Sequence, residues 1–170
     1  MAALRGSTFF PLYTTYTFDP EGTVTRAMVA VMLYNLAGEP ATSGINPFTD
    51  VPNTWYTEPI IWAYENGIVS GAGNGKFNPN GELTREQLAV MMANYAEYCG
   101  INIYVNYNLN TFADKNKVSP WAVDCIKWAC SVGIINGSEE GGKLYLNPQG
   151  NAKRCQLAVI FQNYCEIFGV

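Results

Sequence analysis

The sequence of 170 residues contains no histidine, and only 14% of its residues are charged. The absence of histidine removes the commonest general base, the commonest metal ligand and every nucleophile that depends on histidine. The chain carries 10 basic and 14 acidic residues, a net charge of −4, with no basic stripe along the sequence. A nucleic-acid partner is therefore not expected. Because 48% of the residues are hydrophobic, we expect a globular fold and not a disordered chain.

Long hydrophobic runs are also absent. No stretch of about 18 apolar residues is present, so we expect no membrane span. Residues 1–16 carry one arginine and no long apolar core, so we expect no signal peptide there. On this evidence the segment is either cytosolic or a piece of a longer exported protein.

The five cysteines are too sparse and too irregular to define a site. Their number is odd, and no two of them form a C-x-x-C pair, which weakens both a zinc site and a dense disulfide scaffold. We expect buried free thiols that act as small apolar residues, and we expect no metal or other cofactor. The cysteines are Cys99, Cys125, Cys130, Cys155 and Cys165.

Three segments share one helical pattern. In each, apolar residues return at spacings of three and four, which is typical of a helix with one buried face. A capping threonine precedes the first two, and Thr84 with Gln87 fits a capping box. The third has Lys153 at the capping position, so Asn151 is an alternative cap that would start this helix earlier. The segments begin at Thr25-Arg26, Thr84-Arg85 and Lys153-Arg154.

A second, shorter pattern occurs twice and contains paired tryptophans. Trp55 and Trp121 are 66 positions apart, as are Trp62 and Trp128. Ser119-Pro120 predicts a capped start for the later copy. The chain therefore divides into a partial unit with only the second helix (1–40) and two complete units (41–100 and 101–170). Residues 1–16 lack the Asp and Trp signature and form a longer aromatic-rich loop in this interpretation.

Together these spaced elements resemble the S-layer homology domain. The resemblance covers about residues 18–170, and its middle repeat contains the most complete set of motifs. That set is Phe48-x-Asp50-Val51, Trp55, Ile60-x-Trp62-Ala63, Gly67-Ile68-Val-x-Gly71, Phe77-x-Pro79 and Thr84-Arg85-Glu86.

The resemblance implies an all-α fold of helix-loop-helix repeats in a pseudo-threefold arrangement around a central helical bundle. It implies a non-catalytic module that tethers an exported protein to bacterial secondary cell-wall polysaccharide, often pyruvylated, in grooves between repeats. The expected location is extracellular, at the bacterial cell surface or cell wall, as a segment of a longer exported protein.

By resemblance, Arg26, Arg85 and Arg154 are the contacts to a pyruvate carboxylate. A guanidinium offers a forked pair of charge-assisted hydrogen bonds to such a group. The first turn of a helix adds its positive end and its free N–H groups. Thr84-Arg85-Glu86 is intact, so we expect the main groove at Arg85. The competing interpretation is a surface arginine paired with a nearby carboxylate.

Further candidate ligand contacts lie in the loops and at the starts of the shorter helices. Small loop residues allow or make close contacts to sugar hydroxyls, and exposed tryptophans stack on sugar faces; each residue also has a purely structural alternative. Trp62 and Trp128 are expected in the core. The candidates are Ser70, Gly71, Gly137, Trp55, Trp121, Asp50 and Asp114, where the aspartates more commonly cap a loop.

Two other functions compete with this one. Eleven tyrosines favour a protein–protein interaction module on the same fold, because Tyr is frequent at binding hot spots. A glycosidase is disfavoured, because no paired carboxylates are evident from the spacing. If another protein chain completes the first repeat, an exposed apolar patch is expected near residues 26–38.

Overall fold

The computed structural model describes residues 18–170, so the expectation for residues 1–16 lies outside the described residues. This part of the chain is mostly helical, as predicted. The helices are α1 (Arg26–Leu36), α2 (Thr57–Glu65), α3 (Arg85–Tyr98), α4 (Val123–Ser131) and α5 (Arg154–Phe168). Two short 3₁₀ helices (Lys115–Lys117 and Pro120–Ala122) precede α4, and two strands, β1 (Ser138–Glu140) and β2 (Lys143–Tyr145), precede α5.

The long helices begin where the sequence predicted. The Thr25 hydroxyl accepts a hydrogen bond from the Met28 N–H, which caps α1. At α3, Thr84 and Gln87 form the predicted capping box. These side chains satisfy N–H groups that the first turn of a helix leaves without an intrahelical acceptor.

The start of α5 differs from its expected alternative. The helix begins at Arg154, and the Gln156 Oε1 accepts from the Lys153 N–H. Lys153 itself has no side-chain acceptor with which to cap. Asn151 does not act as the cap, because its amide donates to Glu82. The earlier start is therefore wrong.

The predicted serine cap before α4 is also wrong. Ser119 makes no side-chain cap, and Pro120 begins a 3₁₀ turn that leads into the helix. The Ser119 hydroxyl donates instead to Glu86 of α3 at 2.8 Å. A buried carboxylate is a stronger acceptor, because charge-assisted hydrogen bonds exceed neutral ones.

A ring of backbone hydrogen bonds joins the three segments that precede the long helices. The Val24 N–H donates to Ala152 O (2.9 Å), Ala152 N–H to Leu83 O (2.8 Å), and Leu83 N–H to Val24 O (2.9 Å). All three residues are fully buried. Each segment therefore donates to one neighbour and accepts from the other, in a closed cycle.

The same cyclic order satisfies the first turns of the helices. Arg26 N–H donates to Gly81 O, Arg85 N–H to Gly150 O, and Arg154 N–H to Gly22 O. The next N–H in each helix donates to the carbonyl of a loop proline in the same neighbouring segment. The expectation that these N–H groups are free for an anion is therefore wrong, because the neighbouring loops already accept from them.

The shorter helices cover two of the long ones. Helix α2 packs on α1, and α4 packs on α3. Trp62 and Trp128 are each 1% exposed, which confirms their predicted place in the core. The exposed patch expected near residues 26–38 is not found, because α1 has eight buried residues, Ala27 to Tyr34.

One loop departs from the all-α expectation. Strands β1 and β2 form an antiparallel hairpin around Gly141 and Gly142, both with positive φ. A two-residue turn of this kind needs positive φ at both positions, which glycine adopts without strain. The loop has room for strands because Ile134 to Leu146 spans 12 positions, whereas the corresponding Ile68 to Phe77 spans nine.

The five cysteines are free thiols. Cys125 and Cys130 are buried, as predicted, whereas the prediction is wrong for the exposed Cys99. Burial raises the pKa of the Cys130 thiol to about 11, although the positive charge of Arg85 opposes the shift. Cys130 is therefore protonated at neutral pH and acts as an apolar side chain.

Candidate functional site

The largest described cleft lies where three units meet. Its volume is about 480 Å³, and its lining is largely polar. Arg26 comes from the first unit, Ser70 and Gly71 from the glycine loop of the second, and Trp121 from the third. We call it the Arg26 cleft. The side of α3 that completes it contributes Gln87, Val90, Met91 and Asn94.

Arg26 is fixed in this cleft by the neighbouring unit. Its Nε donates to Phe77 O at 2.8 Å, and its Nη2 donates to Ser70 O at 2.7 Å. The guanidinium also lies over the Phe77 ring, 4.5 Å from Cζ to the centroid. Two of the five guanidinium N–H groups are used in these bonds. The side chain is thus held in one orientation before any ligand binds.

Burial lowers the pKa of Arg26 from its ordinary value, while the negative charge of Asp50 opposes that shift. An arginine remains charged at neutral pH, because its ordinary pKa is above about 12. A partly desolvated cation of this kind attracts an anion more strongly than one in bulk water. The cleft is therefore suited to a polar, anionic ligand.

An equivalent but smaller cleft contains Arg85. Its volume is about 250 Å³, and it is lined by the loop around Gly137 and by the side of α5 that bears Gln156 and Asn163. We call it the Arg85 cleft. Arg85 Nε donates to Leu146 O at 2.7 Å. Arg85 thus faces the divergent third unit, although its own motif is the intact one.

Arg154 occupies the same helix position but is 7% exposed. Its Cζ lies 5.7 Å from the centroid of the Phe18 ring. It does not line the Arg26 or Arg85 cleft in residues 18–170. The structure therefore separates Arg154 from the other two candidate arginines.

Asp50 and Asp114 hold the loops that follow the short helices. The two carboxylate oxygens of Asp50 accept from the N–H groups of Phe77 and Asn78, each at 2.8 Å. Asp114 accepts from Leu146 and Asn147 in the same way, again at 2.8 Å. This geometry favours the loop-capping role over a direct contact to a ligand.

The hydrogen bonds of Asp50 make stability depend on pH. Burial alone would raise the pKa of Asp50, but the bonds from Phe77 and Asn78 and the charge of Lys76 outweigh burial, so the pKa is lowered. A lowered pKa means that Asp50 stabilises the fold above about pH 4 and loses this effect as the pH falls through the folded-state pKa.

We therefore expect Asp50→Asn to flatten the acid limb of the stability curve. The measurement is urea denaturation of parent and variant at a series of pH values from about 6 to about 2.5. Asp124→Asn is the control, because Asp124 is exposed and only pairs with Lys127 at 3.7 Å. Identical acid limbs for the parent and Asp50→Asn would contradict this assignment.

Gly71 and Gly137 are explained by packing inside the loops. A Cβ at Gly71 would lie 3.0 Å from Lys76 O and 3.1 Å from the Phe48 ring. At Gly137 it would lie 2.7 Å from the Phe112 ring, and φ is +74°. These contacts require glycine whether or not a ligand approaches the backbone.

The two exposed tryptophans lie in different places. Trp121 is 58% exposed and lines the Arg26 cleft. Trp55 is 53% exposed and lines a separate hollow of about 350 Å³ beside Tyr34 and Glu39. Of the predicted site residues, the structure therefore brings Arg26, Ser70, Gly71 and Trp121 together.

Gln87 and Asn94 are lining residues that the sequence analysis missed. The Asn94 amide donates to Ile68 O at 3.1 Å, which joins α3 to the glycine loop. Gln156 and Asn163 line the second cleft at equivalent positions. The signal was available, because both pairs recur exactly one repeat apart, at a spacing of 69 residues.

Comparison with known families gives the decisive similarity. Residues 47–89, which include the glycine loop and the start of α3, match the S-layer homology domain. Through this segment the chain belongs to the S-layer homology domain family. The matched range contains Ser70, Gly71 and Gln87 of the Arg26 cleft, so the cleft is built partly from the matched domain.

Relatives that contain an S-layer homology segment match most of this chain. The Surface-layer 125 kDa protein of Lysinibacillus sphaericus is 35% identical over 150 residues, or 88% of the chain. An endoglucanase of Bacillus sp. (strain KSM-635) is 37% identical over 144 residues, or 85% of the chain. The S-layer protein sap of Bacillus anthracis is 31% identical over 139 residues, or 81% of the chain.

The chain spans a small part of each relative: 12% of the first protein and 15% of each of the other two. The shared segment therefore occurs both in surface-layer proteins and in a protein named as an enzyme. Within residues 18–170, none of the helices has the length and apolar character needed to cross a membrane.

Proposed function

We propose that this chain is a non-catalytic anchoring module of the bacterial cell surface. It binds secondary cell-wall polysaccharide, with a pyruvate ketal as the anionic group, in the clefts between its repeats. The printed names of the relatives include surface-layer and S-layer proteins, which supports the cell-surface location. Their shared segment accompanies different partner sequences, as expected of a tether.

The observation that carries this proposal is the composition of the Arg26 cleft. An arginine held by two backbone carbonyls lies in the same cleft as an exposed tryptophan. The guanidinium is suited to a carboxylate, and the flat ring of Trp121 is suited to the apolar face of a sugar. A pyruvylated sugar presents both groups.

We also propose that three repeats, 1–40, 41–100 and 101–170, are arranged with pseudo-threefold symmetry around the long helices. The support is the closed ring through Val24, Leu83 and Ala152, in which each segment makes the same kind of bond to the next. In this arrangement every cleft takes its arginine from the repeat before its glycine loop.

The cleft does not favour glycoside hydrolysis. Among its lining residues in the described part of the chain, Glu82 is the one carboxylate. Glu82 accepts hydrogen bonds from Thr23 and Asn151. A glycosidase generally needs two carboxyl groups about 5–10 Å apart on either side of the scissile bond.

Calorimetric titration with a pyruvylated wall oligosaccharide tests the proposal. We expect binding to the parent and a loss of about tenfold or more in affinity, or about 1.4 kcal/mol, for Trp121→Ala. Removing the ketal from the sugar should have the same effect on the parent. Tyr104→Ala is the control, because Tyr104 is an exposed aromatic outside the cleft lining.

Arg26→Lys separates forked recognition from charge alone, and its thermal denaturation is measured in parallel because Arg26 also joins two units. A folded parent that binds no wall oligosaccharide would overturn the proposal. It would favour the alternative, a protein–protein interaction module, for which the exposed Trp55 and its hollow are the candidate surface.

A further inference from the structure

The three long helices carry equivalent side faces, and two of them are covered. On α1, this face is formed by Ala27, Ala30, Val31 and Tyr34, all of which are buried. Helix α2 lies over it, and the Tyr34 and Trp62 rings meet at 5.6 Å. The face has the spacing of one side of a helix, at positions two, five, six and nine from Arg26.

On α3, the equivalent face is covered by α4 and the 3₁₀ turn before it. Glu86, Ala89 and Ala93 are buried, and Val90 is half-buried. Ala30 and Ala89 are both 0% exposed, so the central alanine of each face lies directly under the covering helix. A small residue there allows the two helices to approach closely.

On α5, the same face is open. It consists of Cys155, Ala158, Val159 and Gln162, and we call it the α5 face. Val159 is 54% exposed, Gln162 is exposed, and the other two are partly exposed. No helix among residues 18–170 packs along it as α2 packs on α1 or α4 on α3.

We propose that the α5 face is a docking surface for a short tryptophan-bearing amphipathic helix supplied by another polypeptide. The argument is continuity with interfaces already present in this protein, because the same positions on α1 and α3 are covered by nine-residue helices of that kind. Ala158 is the central small residue in this interface, as Ala30 and Ala89 are in theirs.

The composition of the α5 face selects the type of helix. At the first position α3 has Glu86, which binds the Ser119 N–H and hydroxyl before α4. α5 has Cys155 there, and α1 has Ala27, so neither offers that carboxylate. A helix like α2 therefore suits α5 better than one like α4, whose serine would lose its acceptor.

Two synthetic peptides test this proposal on the full chain. One contains α2 (residues 52–69) and the other contains α4 (residues 115–135), and each is titrated while amide signals of the chain are followed by NMR. We expect the α2 peptide to shift the signals of the α5 face and to bind about tenfold more tightly than the α4 peptide.

Ala158→Glu places a charged side chain at the centre of the face and should weaken the α2 peptide by about tenfold or more. Ala113→Glu is the matched control, because Ala113 is an exposed alanine outside α5. Cys155 supplies a second readout. The bound α2 peptide should slow its alkylation and leave the alkylation rate of the exposed Cys99 unchanged.

Three outcomes would overturn the proposal. The first is that neither peptide shifts the signals of the α5 face. The second is that Cys155 is already protected from alkylation in the dilute, monomeric chain, which would mean that residues 1–17 of the same chain cover the face. The third is that protection increases with chain concentration alongside dimerisation, which would identify a second copy as the occupant.

Discussion

Trp128→Ala is expected to destabilise the fold by about 3–5 kcal/mol, the range for removing a buried aromatic side chain. Trp128 is 1% exposed and stacks on Phe168 of α5, with ring centroids 6.2 Å apart. The substitution leaves a cavity between α4 and α5 and removes this contact. Urea denaturation of the parent and the variant measures the loss, provided that both show a single cooperative transition.

Trp121→Ala is the matched comparison, because it is the same substitution seven residues earlier. Trp121 is 58% exposed, so we expect its replacement to change stability by no more than about 0.5 kcal/mol. Its effect should fall on sugar binding. A large loss of stability for Trp121→Ala, or a small one for Trp128→Ala, would contradict the division of the tryptophans between cleft and core.

Glu86→Ala is expected to cost about 1.5–3 kcal/mol, the range for hydrogen bonds to a charged group. Glu86 is 2% exposed and accepts from the Ser119 N–H at 3.0 Å and from its hydroxyl at 2.8 Å. It also accepts from the Gln149 amide at 2.8 Å. Alanine would leave these donors without their acceptor and would loosen the third unit from α3.

Glu97→Ala provides the control for this prediction, because Glu97 is an exposed glutamate on the same helix. Its replacement should change stability by no more than about 0.5 kcal/mol. If denaturation gives equal effects for both variants, Glu86 does not join the units. Glu86→Gln, which keeps the size but adds an amide donor, should recover only part of the stability.

Several elements could be predicted from sequence because their causes are local. The caps at Thr25 and Thr84 depend on residues three positions apart, and the burial of Trp62 and Trp128 follows from apolar spacing on one helix. The errors occurred where a distant partner competed. Ser119 was assigned to its own helix, but Glu86, 33 positions away, accepts from it.

The candidate site shows the same division. Sequence identified Arg26, Ser70, Gly71 and Trp121 as candidates one by one, from motifs within each unit. It favoured Arg85 as the main contact because Thr84-Arg85-Glu86 is intact. The structure instead places each of the two cleft arginines against the loop of the following unit, so an intact motif in one unit does not predict an intact cleft.

The sequence alone determined the helical segments, their caps, the repeated units and the family, because these depend on spacings of a few residues or on direct repetition. Only the tertiary structure decided which units share a cleft, that the helix N–H groups are already bonded, and that α5 carries the open face. These features arise from hydrogen bonds and packing between residues 50 or more positions apart, and periodicity within one helix contains no information about such partners.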